Sequence, residues 1–302
     1  MLRALLQPLA LLLAAPLLPG LVNRVKAAVA GRRGPPVWQL YADLWKLLHK
    51  GAVYSGTTSW IFRAGPMASL ASAATAALLL PVGAFPAPIS FAGDFLLFAG
   101  LLALGRFLTA LAAMDTGSSF EGMGAAREVT FGSAAEPALL LGLAVLARAT
   151  GSTSLQGMLG PGLSGAWAGA APSLILAAVA LGLLSLAENA RIPVDDPSTH
   201  LELTMIHEVM VLDHSGPDLA FVQAGAALKL LLFGALLAQL VLAARPAGDL
   251  LGLVAFAGGL LAFVLLVGLV ESAMARLRLQ RVPQLLVGAA VLSLFALVLV
   301  LR

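Results

Sequence analysis

No cysteine occurs in the 302 residues. That removes disulfides, thiolate nucleophiles and cysteine ligands for iron–sulfur clusters. Any electron transfer tied to this chain must therefore run through other subunits. Charge is scarce as well: Asp, Glu, Lys and Arg make up 11% of the chain, too little to cover a water-soluble domain of this length. Two Tyr and four Trp stand beside thirteen Phe, and the net charge is only +3. Stacking platforms and the basic footprint of a nucleic-acid binder are both missing, so no nucleic-acid partner is expected. Neither a G-x-S-x-G elbow nor a P-loop occurs, and no G-x-G-x-x-G opens a helix after a strand.

What is abundant is apolar. Hydrophobic residues make up 60% of the chain, and the mean hydropathy is +0.97. The class this predicts is an all-α membrane protein, a single integral domain over 1–302. Crossing about 30 Å of hydrocarbon takes about 20 apolar residues. Such windows predict about eight spans, near 2–22, 65–84, 91–113, 132–150, 167–187, 225–245, 250–271 and 282–302. The first is too long for a signal h-region and lacks a small-x-small cleavage site ahead of a soluble domain, so it is expected to be retained. Pro8, Pro16, Pro19 and Pro81 are expected to kink or end helices. The last window, apolar nearly all round, is expected to face lipid.

Lys and Arg fall unevenly. Arg24, Lys26, Arg32, Arg33, Lys46, Lys50, Arg63, Arg106, Arg127, Arg191, Arg276, Arg278 and Arg281 group with the connections after spans one, three, five and seven. Arg3, Arg148, Arg245 and Arg302 lie opposite. The positive-inside rule then makes the basic side cytoplasmic and both termini external. In the first basic loop Val37, Leu40, Tyr41, Leu44 and Leu48 recur at helical spacing, which predicts an amphipathic helix at the membrane surface.

One polar block interrupts the apolar pattern. Ala187–Asp218, AENARIPVDDPSTHLELTMIHEVMVLDHSGPD, holds seven of the fifteen acidic residues and three of the four histidines. Among membrane spans such a block must meet water, a partner protein or a proton-conducting cavity. Pro193 ends the preceding helix, and a new helix is predicted from about Ser198 or Thr199. On that helix His200, His207 and His214 fall on one face. They cannot share a metal ion, since residues seven apart lie about 10 Å apart along a helix and ligands must lie within about 2.2 Å. A polar face toward a partner subunit is the better reading. Glu188, Asp195, Asp196, Glu202, Glu208 and Asp213, with Arg191 as the close cation and Glu136 at the start of a span, have the crowding and burial that raise carboxylate pKa values for proton relay.

These residues resemble a known family. A-E-N-A-R-I-P-V-D at 187–195 followed by L-E-L at 201–203 is similar to the A-E-x-x-R-x-P-F-D signature of the complex I membrane subunit that lines the quinone chamber. Val194 replaces its phenylalanine. G-A-A-R-E-V-T-F-G-S-A-A-E at 124–136 keeps the family's Arg and buried Glu nine apart, as Arg127 and Glu136. Gly34, Pro35, Gln39, Asp43 and Lys46 match its first basic loop. H-L-E-L-T-M-I-H-E-V-M-V-L-D-H-S-G-P-D and E-S-A-M-A-R-L-R-L-Q-R-V-P-Q resemble the hydrogenase branch of that family, the formate hydrogenlyase and hydrogenase-4 type.

The resemblance implies eight spans, external termini, and a membrane anchor without a catalytic centre or cofactor of its own in a group 4 nickel–iron hydrogenase. The partners it implies are the hydrogenase large and small subunits, an iron–sulfur subunit and antiporter-like membrane subunits. It places Arg127, Glu136, Glu188, Arg191, Asp195, Glu202 and Asp213 on a proton path or polar chamber, with Glu208 added from the branch-specific part. Arg33, Gln39, Asp43, Lys46 and His207 are expected at the docking face, and the inner membrane is the expected location. Asp213-His214-Ser215-Gly216 stands where the complex I pattern has E-Y-S-G, so no bound quinone is expected. The quinone-chamber subunit of a proton-pumping NADH:quinone oxidoreductase and a self-contained secondary transporter are the alternatives. The latter should show inverted repeats, and none is visible.

Overall fold

A computed structural model describes residues 2–195, 205–242 and 249–302, with side chains from residue 6 onward. Eleven α-helices and no β-strand occur among them. In chain order they are α1 (Leu2–Ala14), α2 (Leu17–Val29), α3 (Gln39–Leu48), α4 (Trp60–Ala77), α5 (Asp94–Asp115), α6 (Ser119–Thr150), α7 (Leu155–Met158), α8 (Gly162–Glu188), α9 (Gly216–Val241), α10 (Asp249–Ala273) and α11 (Val282–Leu301). Seven helical stretches among the described residues are long and apolar enough to cross a membrane, the first being the joined α1–α2. The chain is a multi-pass membrane protein.

The stretch expected as the second span is α4, which is not among those seven. Its composition explains why. Gly65, Ser72, Ala73 and Ala76 are buried, because α4 packs against α5 and α9 with small side chains instead of presenting leucines to lipid. Gly65 is required for that approach, since a Cβ there would lie 2.7 Å from Ala112 Cβ. Of the prolines expected to kink or end helices, Pro16 separates α1 from α2 and Pro81 falls beyond the end of α4, whereas Pro8 and Pro19 lie inside α1 and α2. The last helix departs from expectation. α11 is not lipid-facing all round, since Val282, Leu286, Ala289, Ser293 and Ala296 form a buried stripe against α6 and α8. Ser293 Oγ donates to the Ala138 carbonyl at 3.2 Å.

α3 is the amphipathic surface helix anticipated over the first basic loop. No residue in it is fully buried, and its Tyr41 hydroxyl reaches the Leu13 carbonyl of α1. Arg63 and Arg106, grouped with the loops above, lie instead within α4 and α5. The polar block also differs from expectation. Residues 196–204, including His200 and Glu202, lie outside the described residues. The rest does not continue as an α-helix: Glu208–Val211 is a single 3-10 turn, so no histidine stripe runs along one face. Asp195 explains the local geometry. Its Oδ2 accepts from the backbone N–H groups of Ile206 and His207 at 3.2 and 3.1 Å, a cap that closes the chain into a tight turn.

Candidate functional site

α8 stops at Glu188, while α5 and α9 run on. Arg106 lies nine residues before the end of α5 and Lys229 thirteen after the start of α9, placing them about 14 and 20 Å inside those helix ends. Residues 189–195 and 205–211 fold into the space that the early end of α8 leaves. Irregular backbone is tolerated at such depth only where protein surrounds it.

The side chains that meet there form a chain of ion pairs. Arg106 Nη2 lies 2.6 Å from Glu136 Oε1, and its Nη1 pairs with Glu188 Oε1. Glu188 Oε2 also receives Lys229 Nζ at 3.4 Å. His207 then lies between two acids, with Nε2 3.2 Å from Glu128 Oε2 and Nδ1 3.4 Å from Asp195 Oδ2. Arg276 Nη2, from the segment after α10, closes on Asp195 Oδ1 at 2.8 Å. Arg106, Glu128, Glu188 and His207 share the wall of a cavity of about 20 Å³ with Phe131, Val194, Ile206 and Leu286. That is room for one water molecule, and the polar groups around it are the partners a water needs.

Two glycines make this possible. A Cβ at Gly124 would lie 2.3 Å from Val209 Cγ1 and 3.0 Å from the Ile206 carbonyl, so only glycine lets the His207 turn lie on α6. Gly216, at φ +55°, brings the start of α9 against the Gly51 carbonyl. Gly124→Ala is expected to cost about 1–3 kcal/mol through overpacking and to displace His207. Thermal unfolding of the purified protein, beside the more open Gly122→Ala as control, checks this.

His207 sets a pH dependence. Burial pulls its pKa down, but the charge of Glu128 and the hydrogen bond to Asp195 outweigh burial and the nearby Lys229, so the net shift is upward from the ordinary 6.5. Burial likewise pushes Asp195 up, yet its bonds with His207 and the Arg276 charge hold it below the usual carboxylate range. A raised histidine pKa contributes stability that is full below the unfolded value of 6.5 and is lost as pH rises through the folded one. The melting-temperature gap between wild type and His207→Gln is therefore expected to be widest below pH 6.5 and to close only as pH rises past the higher folded pKa.

The residues singled out from sequence are only partly brought together. Glu136, Glu188 and Asp195 join the network. Glu136 sits in mid-α6 rather than at a helix start, and its side chain is half exposed, 50%. Arg191 belongs to a separate buried cluster, with Nη1 3.4 Å from Glu271 Oε1 while Lys26 Nζ lies 2.8 Å from Glu271 Oε2. Arg127 Nη1 donates to the Met205 carbonyl at 2.8 Å and so anchors the turn. Glu208 opens that turn, half-buried. Asp213 is exposed, its backbone N–H bound to Glu121 Oε1 at 2.9 Å.

Of the expected docking residues, Gln39 and Asp43 bond to each other at 3.0 Å on α3, and Lys46 is exposed beside them. Arg33 lies four residues beyond the end of α2. The His207 side chain, 23% exposed, pairs with Glu128 and Asp195 and so also belongs to the network. Arg106, Glu128, Lys229, Glu271 and Arg276 had not been singled out. Lys229 carried a usable signal, a lone lysine inside an otherwise apolar span. No cluster of metal-ligating side chains occurs among the described residues.

A multi-pass helical bundle with a carboxylate–guanidinium chain at membrane depth defines the class of protein. The chain belongs to the NADH dehydrogenase family, which it matches over residues 2–301. It is 36% identical over 239 residues to hydrogenase-4 component C of Escherichia coli (strain K12), covering 79% of this chain and 74% of that one. It is 33% identical over 287 residues to formate hydrogenlyase subunit 4 of the same organism, covering 93% and 92%. Its fold superposes with a TM-score of 0.81, at 20% identity, on a chain of the membrane-bound sulfane sulfur reductase (MBS), an archaeal respiratory membrane complex. That match covers 99% of this chain and 98% of the other. The resemblance read from AENARIPVD and GAAREVTFGSAAE thus holds at the level of the family.

Proposed function

We propose that this chain is the membrane anchor and proton-coupling subunit of a membrane-bound nickel–iron hydrogenase complex of the formate hydrogenlyase and hydrogenase-4 type. In this reading it has no catalytic centre. It sits in the cell membrane with its basic side cytoplasmic and docks the hydrogenase and iron–sulfur subunits there. Gln39, Asp43 and Lys46 of α3 serve that docking face, and antiporter-like subunits pack beside it in the bilayer. The observation that carries the reading is the unbroken run Glu136–Arg106–Glu188–Lys229, joined across a water-sized cavity to His207, Glu128 and Asp195. Such a run lets a change at the docked redox arm, felt first by the 189–211 segment, alter which carboxylate holds a proton.

The test measures hydrogen evolution and proton uptake together in vesicles carrying the assembled complex. Glu188→Gln is expected to lower proton uptake per hydrogen at least tenfold while hydrogen evolution persists. Glu136→Gln, at the half-exposed end, is expected to lower it less. Unchanged uptake per hydrogen in both variants would reject the coupling role.

A further inference from the structure

We infer that the groove between the C-terminal ends of α2 and α10 binds the phosphodiester headgroup of an anionic phospholipid. The groove has a volume of about 500 Å³ and is lined by Lys26, Arg32, Arg33, Gly34 and Ser272 over a floor of small apolar side chains. Lys26 is already drawn back to Glu271 at 2.8 Å. Arg32 and Arg33 have no carboxylate partner among the described residues. The local balance is thus two uncompensated guanidinium groups, whose planar forks match phosphate oxygens.

Gly34 keeps the groove's wall in place. A Cβ there would lie 2.7 Å from Ala27 Cβ, so only glycine lets the chain fold back this closely on α2. The Gly34 carbonyl also accepts from Arg24 Nη1 at 3.4 Å.

What lies beside the groove selects the source of the phosphate. Val29, Leu269 and Met274, at the ends of the same two helices, are 55%, 51% and 48% exposed. They form an apolar flank for acyl chains next to a basic rim. Basic pockets between helices at the headgroup level have this form. A free phosphate ion would leave that flank unused, and an acidic protein surface would have to cover it.

The experiment uses the full-length chain purified in an uncharged detergent together with its co-purifying subunits. Phosphatidylglycerol, phosphatidylcholine and inorganic phosphate are added separately. Native mass spectrometry counts retained lipid, and thermal unfolding gives the melting temperature. Phosphatidylglycerol is expected to remain bound and to raise the melting temperature by several degrees, whereas the other two leave it unchanged. Arg32→Gln/Arg33→Gln is expected to weaken retention at least fivefold. Ser272→Trp, which fills the groove without altering charge, is expected to do the same, and it decides the matter if the double variant does not fold. Equal retention in wild type and Ser272→Trp overturns the site. Protection by inorganic phosphate alone overturns the lipid as source. Loss of co-purifying soluble subunits from the double variant, with lipid retention intact, makes the groove a protein-docking surface instead.

Discussion

Arg106→Ala is expected to be the most damaging single change in the bundle. Among the described residues, the guanidinium is the one side chain that pairs with both Glu136 and Glu188. Glu188 is 5% exposed in its side chain, and without Arg106 its one remaining ion pair among the described residues is Lys229 at 3.4 Å. Breaking a buried pair by removing one partner costs about 3–5 kcal/mol. The Glu136 half of the contact adds little, because that carboxylate is half exposed and water screens it. The expected result is a fall of many degrees in melting temperature, with loss of membrane-inserted protein in cells. A second substitution, Glu188→Gln, removes the stranded charge and should restore most of the stability. Without that rescue, the pair does not stabilise the fold.

The second large effect is expected at Glu271. Its carboxylate is fully buried between Arg191 and Lys26, so Glu271→Ala strands two cations at the junction of α2, α10 and the turn after α8. Arg191 is the more confined of the two, at 10% side-chain exposure against 25% for Lys26. A loss of about 3–5 kcal/mol is expected from the uncompensated buried charge. Glu271→Gln should be milder, since its amide oxygen still accepts a hydrogen bond. Melting temperatures of the two variants in detergent check the order, and equal losses would contradict it.

The fold was legible where the apolar runs were long. α5, α8, α10 and α11 lie close to the windows read from hydropathy, because length and apolarity are what the bilayer tests, while α6 and α9 begin thirteen and nine residues before theirs. α4 was harder. Its second requirement is close packing on α5, which favours alanine, serine and glycine and weakens the hydropathic signal. Asp195 shows the limit for the polar block. Helical periodicity after it looked plausible, but a carboxylate that caps two backbone N–H groups ends regular structure in a way that composition does not reveal. Of the acids in the site, Glu136, Glu188 and Asp195 were visible in the sequence and Glu128 was not. The cationic half, Arg106, Lys229 and Arg276, comes from three helices or segments distant in sequence, and only tertiary packing unites them.

The place of Arg106 bears on how Glu136 and Glu188 can influence each other. A guanidinium does not shed its proton at physiological pH, so a fixed positive charge stands between the two carboxylates. A sodium ion moving from Glu136 to Glu188 would have to shed its hydration shell, pass that charge at contact distance and find oxygen ligands in a cavity of about 20 Å³. A proton meets the same obstacle, since a guanidinium that does not give up its own proton cannot relay another. What Arg106 passes between the two carboxylates is electrostatic influence: a charge gained or lost on one changes the field at the other, with no ion crossing the contact.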